Sequence, residues 1–199
     1  MNKDANSRYN LTPLLKQRWS PRAFSNQMVE KEKIQALFEA ARWTPSSSNQ
    51  QPWRFIIGFK GDPTYEKIMD SLVEFNQLWA QTAPVLIVSI GKLTNNKGEH
   101  NNSSCYDVGQ AVAHMTVQAT SMGLYVHQMG GFSADSILQS FEIPEQHMVQ
   151  TLFTVGYIGD PEVLHPNLKK MEYAQRDRID FDEFVFSGTF GQKSDLFDQ

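Results

Sequence analysis

Hydrophobic positions along the chain change period several times, and each change marks an element. Ile34, Leu37, Phe38 and Ala41 recur at i, i+3, i+4 and i+7, which predicts a helix ending before Pro45. Ahead of it, Thr12 and Pro13 supply an N-cap and a first-turn proline for a short helix running into Arg18. Residues 53–59, after Pro52, read as a strand. Asp62 and Pro63 open another helix, expected to carry Ile68, Leu72, Phe75 and Trp79 on one face and to stop at Pro84. The apolar run 85–90 has the pattern of a strand covered on both faces. Residues 91–104 are polar, with four asparagines and no period, and predict a loop with the least order in the chain.

Helical spacing returns at Asp107, which with Gln110 forms a capping-box-like start. Val108, Ala111, Val112, Met115, Ala119 and Met122 follow on one face, and Gly123 ends the helix. Small residues such as Gly109 and Ala113 lie elsewhere on its circumference, so burial against more than one neighbour is expected, as in a central dimer helix. His114 on it reads as a satisfied core residue rather than a ligand or base. A strand over 124–129, a turn at Gly130-Gly131-Phe132, a helix from Ser133 with Ile137, Leu138 and Phe141, and a strand over 151–157 complete the pattern. No repeat or boundary interrupts it. Uneven alternation of helices and strands predicts an α+β domain, layered around a mixed sheet.

Composition narrows the partners more than the fold. A length of 199 residues with 40% hydrophobic content suits one domain over 1–199, with 1–10 and 188–199 as flexible tails. A net charge of -4 argues against nucleic acid, which requires clustered cations that release counterions. Cys105 is the only cysteine, so no internal disulfide forms, and no Cys/His spacing resembles a zinc site. Residues 1–10 carry no apolar core, and no run approaches a membrane span. A soluble cytoplasmic protein without bound metal or membrane partner is the expectation.

Two polar clusters carry the candidate chemistry. Arg18-Trp19-Ser20-Pro21-Arg22 places two guanidiniums about a serine, able to meet a phosphate dianion and an electron-rich ring edge. Pro45-Ser46-Ser47-Ser48-Asn49-Gln50-Gln51-Pro52-Trp53 offers neutral donors and acceptors suited to ribityl hydroxyls and ring carbonyls. Taken singly, the first is more often a surface turn and the second a plain loop. Met129-Gly130-Gly131-Phe132 could let backbone approach a flat ring, and Gln175-Arg176-Asp177-Arg178 adds two late cations. No Gly-x-Gly-x-x-Gly, Walker-type loop or Gly-x-Ser-x-Gly elbow occurs.

In order and spacing these four motifs, over about residues 12–186, resemble the FMN-dependent nitroreductase family. The resemblance implies a three-layer α+β fold around a mixed or antiparallel sheet, in an intertwined homodimer. It implies non-covalent FMN, with Arg18, Trp19, Ser20, Arg176 and Arg178 around the phosphate and Arg22 and Asn76 at the pyrimidine edge of the ring. Met129, Gly130 and Gly131 would lie at the flavin N5 side. Pro45, Ser46, Ser47, Ser48 and Asn49 would reach the flavin of the other subunit, and Gln51 would also bind the cofactor. One departure stands out: some members carry a lysine three residues after the counterpart of Asn76, where this chain has Trp79. The implied activity is ping-pong hydride transfer from NADH or NADPH to a small electron-poor acceptor such as a nitroaromatic or quinone. Chemistry resides in the cofactor, with no catalytic acid, base or nucleophile from the protein. Alternatives are an FMN carrier without turnover and a same-fold flavoenzyme for dehalogenation, flavin breakdown or dehydrogenation.

Overall fold

The structure, a computed structural model, describes residues 3–197; the outermost residues of the two expected tails lie outside the described residues. Four strands form one sheet: β1 (Trp53–Phe59), β2 (Val85–Lys92), β3 (Tyr125–Met129) and β4 (His147–Gly156). Their order is β1-β2-β4-β3, and every pair is antiparallel, so the antiparallel form of the sheet is the one realised. β2 is buried throughout save Lys92, as its apolar run predicts, and its alternate residues feed opposite layers. Leu86, Val88 and Ile90 join one core with Ile68, Trp79 and Leu152, whereas Val85 and Ile87 join another with Leu37, Val112 and Met115. Fully buried leucines such as Leu37 and Leu86 contribute roughly 1.5–3 kcal/mol each.

The second core lies under α2 (Lys31–Arg42) and α5 (Ser104–Ser121). The first lies under α3 (Pro63–Ser71), α4 (Glu74–Ala80) and α6 (Ala134–Ser140). Short α1 (Pro13–Gln17) precedes the sheet, and α7 (Pro166–Tyr173) follows it. α2 buries Ile34, Leu37 and Ala41, the spaced residues of its sequence pattern.

Three expectations change. The single helix expected from Asp62 to Pro84 is two, because Leu72 turns extended (ψ 145°) and bridges to Phe132. The break rotates the second half, so Trp79 is buried while Phe75 is left exposed. Asp107 is not the N-cap of α5: the helix begins at Ser104, because Asn101 folds back on Leu93 and Ser103 to start it one turn earlier. The 91–104 segment accordingly contains a bridge, Thr94 to His100. His114 is exposed rather than a core residue, and its Nδ1 lies 3.0 Å from Thr44 Oγ1. Gly123 does end α5, with φ +74°, the left-handed conformation that glycine adopts at low cost after a helix.

Candidate functional site

Residues 18–23 leave α1 and cross beneath α7, where a buried carboxylate holds them. Glu172, only 1% exposed, accepts Arg22 N–H at 2.9 Å on each oxygen and Ala23 N–H at 3.2 Å. Burial pushes its carboxyl above the ordinary range, against the lowering effect of those bonds. Beside it opens a cleft of about 250 Å³ lined by Arg18, Ser20, Arg22, Arg176, Arg178 and Lys3. The two sequence-distant basic motifs therefore meet. Arg18 is half-buried, and its pKa is lowered by burial first and then by Arg176 and Arg178, an arrangement of like charges that favours an anion between them. Arg22 Nε is buried and has no hydrogen-bond partner among the described residues. An unpaired buried donor among cations costs roughly 1–3 kcal/mol until an acceptor arrives.

Arg176 is partly committed elsewhere, since its Nη1 donates to Lys3 O at 2.7 Å and Lys16 O at 3.2 Å. Arg178 is exposed. Trp19 forms the cleft's wall, 7% exposed, with its ring edge-on to Tyr125 at 6.1 Å; a second cavity of about 400 Å³ lies along Trp19, lined in part by Thr120, Gly123 and Tyr125.

From the cleft a chain of contacts leads to the glycine turn. Pro21 O lies 2.9 Å from His127 Nδ1, and the His127 ring packs on Trp79 with centroids 4.3 Å apart. Burial, with Arg22 nearby, pulls the His127 pKa down to about 4, so the ring is neutral at pH 7. Trp79 Nε1 donates to Asn76 Oδ1 at 3.3 Å, and Asn76 Nδ2 donates to Gly131 O at 3.0 Å. A Cβ on Gly131 would come within 2.8 Å of both Asn76 Nδ2 and Val73 Cγ2, so packing against α4 requires glycine there. At Gly130 a Cβ would meet nothing within 4 Å: that backbone borders open space. Met129, by contrast, is buried in the core.

The serine loop is not part of this line. Ser47 N–H donates to Asp107 Oδ2 at 3.1 Å, which ties the loop to the N-terminal end of α5. Thr120 and Gly123, beside Trp19, mark the other end of that helix. Thirteen residues of helix separate Asp107 from Thr120, about 20 Å at 1.5 Å per residue. Within the loop Ser48 (φ 49°), Asn49 (φ 54°) and Gln51 (φ 47°) are left-handed without being glycine, a strain of order 1 kcal/mol each. Ser46 Oγ accepts Gln51 N–H at 3.0 Å and helps hold this shape, while the side chains of Pro45, Ser47, Ser48, Asn49 and Gln51 stay exposed.

Sequence reasoning missed Glu172, His127 and Lys3. None sits in a motif, because each is recruited by tertiary packing; the only local signal was the amphipathic spacing of α7, which puts Glu172 on the same face as Leu168.

The fit to a flavin mononucleotide rests on this geometry. Cations converge on the cleft while its Glu172 carboxylate is occupied by backbone N–H groups, a buried guanidinium nitrogen lacks an acceptor, and a chain of contacts leads from the cleft to the Gly130 backbone, which borders open space.

Comparison with known proteins agrees. A solved structure described as an oxidoreductase containing FMN superposes with a TM-score of 0.89 at 32% identity, over 97% of this chain and 98% of its own. A nitroreductase family protein from Clostridium difficile 630 superposes at 0.71 and 25% identity, over 91% and 99%. A Ralstonia nicotianae protein, provisionally named an NADH dehydrogenase/NAD(P)H nitroreductase, is 22% identical over 170 residues, 76% of this chain and 86% of its own. The sequence profile of the Nitroreductase family matches residues 15–72 and 58–157, and the chain belongs to that family.

Proposed function

We propose that this chain is an FMN-dependent oxidoreductase that takes hydride from NADH or NADPH and passes it to small electron-poor acceptors, nitroaromatics and quinones among them, as a homodimer whose two sites each draw on both chains. The observation that carries the reading is the basic cleft with an unpartnered Arg22 Nε, linked through Pro21, His127, Trp79 and Asn76 to the glycine turn whose Gly130 backbone borders open space. Bound FMN would supply the two-electron chemistry, accepting and donating hydride at N5.

Arg18, Ser20 and Arg176 would hold the phosphate, with Arg178 at the rim. Arg22 would reach the pyrimidine edge with a charge that persists at any working pH, stabilising the negative charge that develops there on reduction. Glu172 fixes the backbone from which Arg22 projects. Trp79, with the neutral His127 ring tilted against it, would stand where some members of the family carry a second cation, so Arg22 would be nearly alone in that role. The Gly130 backbone leaves one ring face free for a nicotinamide and then, in the same space, for the acceptor.

Support for the shared site comes from the serine loop, which packs at the N-terminal end of α5, about 20 Å along that helix from Thr120 beside Trp19. The outer face of α5 also presents Tyr106, 72% exposed, with Gly109 and Ala113 one and two turns on, small enough for close approach of a second helix. No helix among the described residues is long and apolar enough to cross a membrane. Location in the cytoplasm is part of the proposal.

Anaerobic stopped-flow mixing with NADH or NADPH tests the reading. Bleaching of the flavin band near ~450 nm before any acceptor is added is the expected result, and Arg22→Ala saturated with FMN should bleach roughly tenfold more slowly. Absence of bleaching with either nucleotide would leave an FMN carrier as the better description. An unchanged rate in the variant would remove Arg22 from its role.

A further inference from the structure

Residues 3–9, whose polar composition marks them only as a tail, run across the mouth of the basic cleft and are fixed at several points. Lys3 Nζ donates to Ala174 O and lies 5.4 Å from the centroid of the Trp19 ring, at the border shared by the two cavities that Trp19 separates. Arg176 clamps the segment by donating to Lys3 O, and Ala5 N–H donates to Lys16 O at 2.8 Å. Further along, Arg8 makes a two-pronged pair with Asp180, at 2.9 Å and 3.0 Å. Tyr9 packs edge-on against Phe181 at 5.5 Å and beside Phe197 at 5.9 Å. The segment thus joins the end of α1 to the chain that follows α7, the two walls of the cleft.

We propose that residues 3–9 form a strap over the phosphate end of the site, with the Lys3 ammonium as a further phosphate ligand that retains the cofactor. The inference rests on the FMN reading above. Lys3 is suited to the role for two reasons. Its present partner, the Ala174 carbonyl, is neutral, so a phosphate dianion in the cleft offers a stronger charge-assisted bond with little movement of the stem. Burial and Arg176 lower its pKa while Glu172 raises it, the mark of an ammonium already inside the field of the cleft. Arg8 and Tyr9 make no contact with the cleft and act as the strap's fastening.

The consequence is kinetic. FMN would leave only when the strap lifts, so release should be slow and should speed up when either the ligand or the fastening is removed. The test measures release of bound FMN from the full-length protein by fluorescence recovery on dilution, with riboflavin, which lacks the phosphate, as control. Lys3→Ala should release FMN roughly five- to tenfold faster, the size of one charged contact, and Lys3→Arg should restore slow release. Arg8→Ala should accelerate release by a smaller factor, and riboflavin affinity should be the same in all variants. Release at the wild-type rate from both alanine variants would overturn the strap, as would an equal loss of riboflavin affinity, which marks a structural effect. If wild-type protein quenched neither FMN nor riboflavin, the FMN reading itself would fall, a result distinct from either.

Discussion

The two ends of α5 are built on opposite plans. At the C-terminal end, residues 18–23 are locked by three backbone bonds to a carboxylate that is 1% exposed, and their cations point inward to a cleft closed by Trp19. At the N-terminal end, residues 45–51 carry three non-glycine residues in left-handed conformations and turn their polar side chains to solvent. One end is held in place within the chain. The other holds strain, and its polar groups bond within the loop and to Asp107 and Asn96. Strained, exposed polar backbone persists where surrounding structure over-determines it, and such places cluster at ligand contacts. The contrast is what the proposed divided site requires: an anchoring half ordered within its own chain and a covering half that completes a neighbour's site.

If the anchoring end supplies the phosphate contacts, damage there should be severe. Arg18→Ala, which removes a half-buried cation from the cleft, should cost about 2–5 kcal/mol of FMN affinity, thirtyfold or more in Kd by fluorescence titration. Retained affinity would make the cleft a surface feature.

Nearly as large is the pH effect of the neutral histidine behind the cleft. Unfolded His127 titrates near 6.5, and in the fold near 4, so between those values the unfolded chain binds a proton that the folded chain does not. Stability in the FMN-free protein should therefore fall as pH drops from 6.5 to 4, by about 3 kcal/mol from this residue. Urea unfolding at pH 7 and pH 4 checks it: His127→Gln should lessen the difference by that amount, and an identical difference would mean the ring is protonated in the fold. The smallest effect is expected at Arg178, whose exposure limits its contact to about 1 kcal/mol, so Arg178→Ala should weaken FMN only a few-fold.

The same contrast explains what was legible beforehand. Helix α2 was readable because Ile34, Leu37 and Ala41 repeat at helical spacing and nothing in tertiary structure competes. The helix from Asp62 was misread as continuous, because the apolar spacing of Ile68 and Leu72 runs on smoothly while the break depends on a bridge from Leu72 to Phe132, sixty residues away. Arg18, Arg22, Arg176 and Arg178 were marked only by the joint order of the motifs, since each basic motif alone reads as surface, and the fold brings them to one cleft. Glu172 and His127 were not, because burial alone turns an ordinary glutamate and histidine into supports of the site. Glycine was legible in kind and not in cause: Gly131 is required by the approach of Asn76 and Val73 rather than by a positive φ.

The central claim is that each cofactor site is assembled from both ends of α5 in different chains. Sedimentation velocity of the FMN-loaded protein, followed at the flavin band while protein is diluted below micromolar, tests it in one measurement. All flavin absorbance should sediment with the dimer at every concentration, and flavin should be released wherever the dimer dissociates. Flavin that travels with a monomer would contradict the account, because a chain that keeps its cofactor alone does not need its neighbour's serine loop.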